Sequence, residues 1–281
     1  MNTRTNPSTV HSRAIRPAAI LTALLLTASP AVVALAHDTW VQANTNAVRV
    51  GDAVHLDLLL GNHGNDHRDF KMAGKPTLDG GATFEVISPD GRRHDLRPSA
   101  VDQGYAPKEG YFTARFQPDK PGLYLVSQTS DKVVDYAPKR SVKSGKTFFV
   151  ASKSLDKVPL DNPGFDRVLG HPLELVPQAN PVTPMGPGSK IKVKLLHKGK
   201  PMAGAKVSFI PRGYTLAEGF DKTYERMTDD SGVASFEPKE ANYYLVVAHH
   251  EDTAEKGSGY DATKYSATLA VYVPALCPCC E

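Results

Sequence analysis

The sequence predicts an all-β protein made of two antiparallel β-sandwich domains. Two observations carry this expectation. The 281-residue chain holds 22 Pro and 22 Gly, and turn-forming clusters separate short runs rich in Val, Ile, Leu, Tyr and Phe. Within those runs apolar and polar residues tend to alternate with period two, and none sustains the 3.6-residue period of an amphipathic helix.

The first 36 residues stand apart. Arg4, Arg13 and Arg16 occur there without an acidic residue, an apolar run covers 18–26 and resumes over 31–35, and Ala34-Leu35-Ala36 has the small-residue form of a cleavage site. This is the three-part layout of a secretory signal peptide. Cleavage after Ala36 removes three basic residues and no acidic one, so residues 37–281 carry nearly balanced charge. That balance argues against a nucleic-acid stripe or a polybasic membrane patch. No later run of about 18 apolar residues is present to span a bilayer.

The first sandwich is expected over 37–151. It opens on Thr39-Trp40-Val41-Gln42-Ala43, with Trp40 as a core plug. A strand over 53–60 places Val54, Leu56, Leu58 and Leu60 on one face and His55, Asp57 and Leu59 on the other. Further strands are expected over 83–87, 111–116, 123–129, 132–136 and 146–150. Ser88-Pro89-Asp90-Gly91 and Gln117-Pro118-Asp119-Lys120-Pro121-Gly122 supply turns. A Pro-, Asn- and Gly-rich connection follows over 152–187, with a short strand at Leu173-Glu174-Leu175-Val176. The second sandwich is expected over 188–274, with strands over 191–195, 205–210, 242–250 and 264–273 and a strand–turn–strand unit across 227–236. The stretch 214–224 has room for one helical turn. The tail, 275–281, contains all three cysteines, Cys277, Cys279 and Cys280. It is either a soft-metal ligand such as one for Cu(I) or a terminus with incidental thiols.

Cleavage after Ala36 would make His37 the first residue. Its α-amine and imidazole could then close a chelate ring on one ion, which an internal histidine cannot do because its backbone nitrogen is an amide. Nitrogen donors of this kind suit Ni²⁺, Cu²⁺ and Zn²⁺. Nine histidines follow the cleavage point. His63 and His67 lie four apart in a Gly/Asn loop beside Asp66 and Asp69, either a ligand loop or a solvated one. His249 and His250 end a strand, so alternation sends them to opposite faces. His249 shares its face with Tyr243, Leu245 and Val247, which fits the inner side, while His250 shares its face with Tyr244, Val246 and Ala248, so alternation leaves both open; the end of this strand is a candidate partner for His37 at a junction between domains. His55 and Asp57 are expected to face water. Asp38 could orient the chelate or add an oxygen. No Gly-x-Ser-x-Gly elbow and no His-Glu-x-x-His motif is present, so a non-enzymatic protein is expected.

His37-Asp38-Thr39-Trp40 after the cleavage signal resembles the "AHDxW" opening of a secreted bacterial family described as a nickel/cobalt transport-associated periplasmic component. Leu169-Gly170-His171-Pro172-Leu173-Glu174-Leu175-Val176-Pro177 resembles its "G-PLELVP" segment. Gly199-Lys200-Pro201-Met202-Ala203-Gly204-Ala205-Lys206-Val207 resembles "GKPLAGAKV", and Asp229-Asp230-Ser231-Gly232-Val233-Ala234-Ser235-Phe236 resembles "TDxxGxxxF". The second half is also similar to transthyretin-like, carboxypeptidase-regulatory sandwiches; the first is expected to be immunoglobulin-like. The resemblance implies a periplasmic protein that binds Ni or Co, with Cu as a further candidate, and that serves metal uptake or homeostasis beside a membrane transporter. The expected ligands are His37 and His249, with His63 or His67. The cysteine tail is not part of the family pattern and would suit copper. Two other readings stay open: an envelope interaction module without metal, and a copper protein with an N-terminal histidine able to activate oxygen.

Overall fold

The computed structural model describes residues 1–3, 37–63, 75–104, 106, 109–134 and 137–275. Residues 4–36, most of the expected signal segment, lie outside these residues, as do His67 and the three cysteines. The chain divides into two contact units, Met1–Ala34 and Leu35–Glu281.

The second unit is all-β. Its strands in chain order are β1 (Asp38–Ala43), β2 (Ala47–Arg49), β3 (Val54–Gly61), β4 (Thr83–Ile87), β5 (Arg93–Asp95), β6 (Val101–Asp102), β7 (Phe112–Phe116), β8 (Gly122–Val133) and β9 (Lys139–Ser152). There follow β10 (Leu173–Pro177), β11 (Ile191–His197), β12 (Lys200–Pro201), β13 (Lys206–Pro211), β14 (Glu225–Met227), β15 (Val233–Phe236), β16 (Asn242–Asp252) and β17 (Ala262–Val273). The helical content of the described residues is two three-residue 3-10 turns, Arg97–Ser99 and Leu155–Lys157. The stretch 214–224 forms turns rather than a helical turn. No helix among the described residues is long and apolar enough to cross a membrane.

The strands form three sheets. One runs β1-β3-β7-β6, a second runs β10-β11-β12 with β15 also on β11, and a nine-stranded sheet runs β14-β13-β16-β17-β9-β8-β4-β5 with β2 on β9. Strands from both sides of 152–187 thus hydrogen-bond in one sheet. The join is a parallel ladder between β17 and β9, from Ala262 opposite Lys139 to Leu269 opposite Lys146. β9 is longer than the pattern suggests because 139–145 is rich in Lys, Arg, Ser and Gly and reads as a loop. Its ladders with β8 and β17 satisfy the backbone that a polar sequence leaves open.

Alternation along the long strands builds cores on both faces of the nine-stranded sheet. Leu123 and Leu125 of β8 and Phe148 and Val150 of β9 join one core with β10, β11 and β15. Tyr124, Val126, Phe149 and Ala151, one residue out of phase, join another with Val41, Leu56 and Leu58. The sandwiches of the two halves share this sheet as a common layer. A third, smaller cluster closes the junction: Trp40 and Leu59 pack on Leu245 and Val247 of β16 and Ala270 of β17. Trp40 is the core plug the sequence suggests, seated between the halves rather than inside the first. Leu59, on the face expected to be polar, is fully buried there.

Candidate functional site at the start of the first strand

β1 is buried along its whole length, and its two faces differ. Val41 and Ala43 point into the core with β8 and β9. Trp40 takes the opposite face with Asp38 and Gln42, against the second half of the chain. Gln42 accepts a hydrogen bond from Arg212 Nη2 at 2.8 Å. The Thr268 hydroxyl of β17 donates to the Thr39 carbonyl at 2.8 Å. β1 is therefore tied to strands more than 160 positions away, and its first residues are fixed.

Asp38 is the centre of the site. Its Oδ1 lies 2.7 Å from His249 Nε2 and accepts the Ser266 hydroxyl at 2.8 Å. A carboxylate can only accept, so Nε2 carries the proton and the neutral ring keeps its lone pair on Nδ1. The three residues below Asp38 form a row across the sheet: His249 on β16 faces Ser266 on β17, which faces Lys143 on β9. Lys143 Nζ donates to the His37 carbonyl at 2.6 Å. The His249 side chain is 53% exposed against 13% for Asp38, so the imidazole is open to solvent while its anchor is not.

The charges reinforce one another. Burial pushes the Asp38 carboxyl up, but the charge and hydrogen bond of His249, with Lys143 and Ser266, outweigh it and hold Asp38 below the ordinary carboxylate value. The Asp38 charge raises the His249 imidazole above its ordinary value, against the effect of burial. Burial lowers Lys143, and Asp38 opposes that.

His37 is exposed and immediately precedes Asp38. His249 is brought to Asp38; His250 faces away, toward the other core. His63 is not on an open loop. It is 3% exposed, its Nδ1 lies 2.8 Å from the Ile210 carbonyl oxygen, and its ring meets Trp40 edge-on at 5.7 Å. Burial, then the Arg212 charge, lower it to about 3, so it is a neutral core histidine. His67 lies outside the described residues. His55 is exposed, as expected. Among the described residues no group of three or more His, Cys, Asp or Glu is gathered as a metal cage. Lys143 and Ser266 were not legible as site residues, because only the β9–β17 and β16–β17 registers bring them beneath Asp38.

Fold and site together define an all-β protein of stacked sheets with a carboxylate–imidazole pair at the start of its first strand. The chain belongs to the family described as "Domain of unknown function (DUF4198)", which matches residues 34–252. That description carries no activity. No curated protein sequence matches the chain. Among solved structures, the chain is similar to Escherichia coli alpha-2-macroglobulin activated by porcine elastase, at 16% identity and a TM-score of 0.26, over 85% of this chain and 20% of that one. It is similar to a DUF4785 family protein from Legionella pneumophila at 12% identity and a TM-score of 0.27, over 74% of this chain and 52% of that one. Murine CEACAM1b is matched at 10% identity and a TM-score of 0.21, over 85% of this chain and 100% of that one. The chain spans about a fifth of the macroglobulin and about half of the Legionella protein. At these TM-scores the likenesses carry no functional argument.

Proposed function

We propose that the chain, exported and cleaved after Ala36, is a periplasmic transition-metal-binding protein without enzymatic activity. It takes Ni²⁺ or Co²⁺, with Cu²⁺ as the further candidate, and serves uptake or buffering beside a membrane transporter. The observation that carries this reading is the Asp38–His249 pair. A carboxylate that accepts from one ring nitrogen fixes the tautomer and leaves the other nitrogen basic, the arrangement that commonly supports a ligating histidine. His249 offers Nδ1 from a half-exposed ring anchored beside residue 37. His37 would add its imidazole and, once it is the first residue, its α-amine. The donor set fits a nitrogen-preferring divalent ion. The set would be completed only when cleavage frees the α-amine of His37. His63, bonded to a carbonyl in the core, is outside this set.

The test is titration with Ni²⁺, Co²⁺ and Cu²⁺ of the chain beginning at His37, beside one carrying a single extra residue before it. Tight binding that the extension weakens by at least about tenfold supports an N-terminal chelate. Equal binding by both forms, or by neither, overturns it. The second reading, an envelope interaction module, is favoured by the exposed apolar side chains of Leu155, Leu160 and Val168, and is the outcome if neither form binds metal.

A further inference from the structure

His250, next to the residue that bonds Asp38, points to the opposite face of β16 and meets a different histidine. His197, the last residue of β11, has its ring centroid 4.6 Å from that of His250, with the planes at 61°. Tyr265, opposite His250 in the β16–β17 register, backs both rings, 5.2 Å from His197 and 6.2 Å from His250. Its own hydroxyl is taken by Glu255. His197 Nε2 is enclosed and has no hydrogen-bond partner among the described residues. A buried polar nitrogen in that state is destabilising unless something satisfies it.

The ring separation is one that an edge-on ring contact takes, and it also suits two imidazoles sharing a metal ion. With metal–nitrogen bonds of about 2.0 Å, two imidazoles on adjacent coordination positions have centroids roughly 4.5 Å apart. We propose that His197 and His250 form a second transition-metal site, distinct from the one at His37, that takes Cu²⁺ first and Ni²⁺ or Zn²⁺ more weakly, with water completing the coordination. The order follows the general affinity of nitrogen ligands for these ions. Two carboxylates stand close by, and each shares Lys198: Nζ lies 3.9 Å from Asp252 and 3.7 Å from Glu255. They lessen the repulsion that Lys198 would exert on an incoming cation. The two consecutive histidines of β16 would then serve two sites on opposite faces of one strand. This inference does not depend on cleavage or on the His37 chelate.

The experiment is Cu²⁺ titration of the full cleaved chain by calorimetry and electron paramagnetic resonance, with His197→Gln, His250→Gln, His249→Gln and the one-residue N-terminal extension as variants. The expected result is that His197→Gln and His250→Gln each lose the same equivalent of Cu²⁺, and that His249→Gln and the extension keep it. A folding-independent readout is broadening of the His197 and His250 ring proton signals in the unsubstituted protein by substoichiometric Cu²⁺. Unchanged stoichiometry in both glutamine variants, or sharp signals from both rings while Cu²⁺ binds elsewhere, overturns the proposal. An extension that abolishes the other site while this equivalent persists would separate the two readings, as would the reverse.

Discussion

Asp38 and His249 are 211 positions apart and share one hydrogen bond. Their linkage to pH runs in opposite directions. Asp38 is lowered from 3.8, so its contribution is complete above that value and is lost as pH falls through its folded value. His249 is raised from 6.5, so its contribution is complete below 6.5 and is lost as pH rises through its folded value. The pair is therefore at full strength between the two ordinary values. Its contribution is at most about 1 kcal/mol, because the imidazole is half exposed and solvent screens it. Asp38→Asn should bring the His249 midpoint back down toward 6.5, measured on its ring proton signals; an unmoved midpoint would show that Asp38 does not set it. Metal affinity at this site should also fall with pH, since protons compete for the same nitrogens.

His63 makes a stronger prediction at the same scale. The unfolded chain takes up a proton near 6.5 there, but the folded chain resists it down to about 3. His171 behaves alike, held at about 4 first by burial and then by the Lys146 charge. Between these values the unfolded state binds more protons, so stability falls as pH drops below 6.5. Melting temperature should decline steadily from pH 6.5 to 4, by an amount equivalent to up to about 3 kcal/mol for His63 alone. His63→Gln should flatten that slope. Equal slopes in both proteins would place the acid sensitivity elsewhere.

Among elements, the turn before β10 has the clearest internal logic. Glu174 is 1% exposed and accepts backbone N–H groups from Leu169 at 2.6 Å, Gly170 at 2.9 Å and His171 at 3.0 Å. Lys146 of β9, equally enclosed, pairs with it. Burial pushes the Glu174 carboxyl up, but the Lys146 charge and these donors more than offset that. One carboxylate thus shapes the turn, and one lysine ties the turn to the central sheet. This gives the Leu169–Val176 motif a physical role. Removing one partner leaves a buried charge alone, so Lys146→Met should destabilise by about 3–5 kcal/mol, visible in chemical denaturation. A loss below about 1 kcal/mol would mean that water or another group replaces the lysine.

Over the whole molecule, the parallel β9–β17 ladder and the Trp40 cluster bind the two halves into one contact unit. We expect residues 37–275 to unfold in a single transition. Trp40 is the only tryptophan and sits at the junction, so its fluorescence reports on that seam. Its unfolding curve should coincide with the one from circular dichroism; two separated curves would show that the halves melt independently. Trp40→Ala should cost about 3–5 kcal/mol, the usual range for emptying a fully buried aromatic site.

The strands and their turns were largely legible in the residues. The strand over 83–87 and the strand ends at 116, 236 and 273 fall where alternation and turn residues put them. Of the site, alternation showed that only one of His249 and His250 could meet the first residues, and the fold selected His249. His63 could not, because a Gly/Asn-rich loop gives no sign that its first histidine is drawn under Trp40.

By itself, the sequence determined the all-β class, most of the strands and the alternation that sends His249 and His250 to opposite faces. These depend on neighbours within a few positions. Only the tertiary structure decided that the sandwiches share one sheet, that both faces of β16 are covered, and that Asp38, Ser266, His249 and Lys143 meet. The physical reason is range: a parallel ladder joins residues more than a hundred positions apart, and its register leaves no local trace. Yet that register sets every partner in the site.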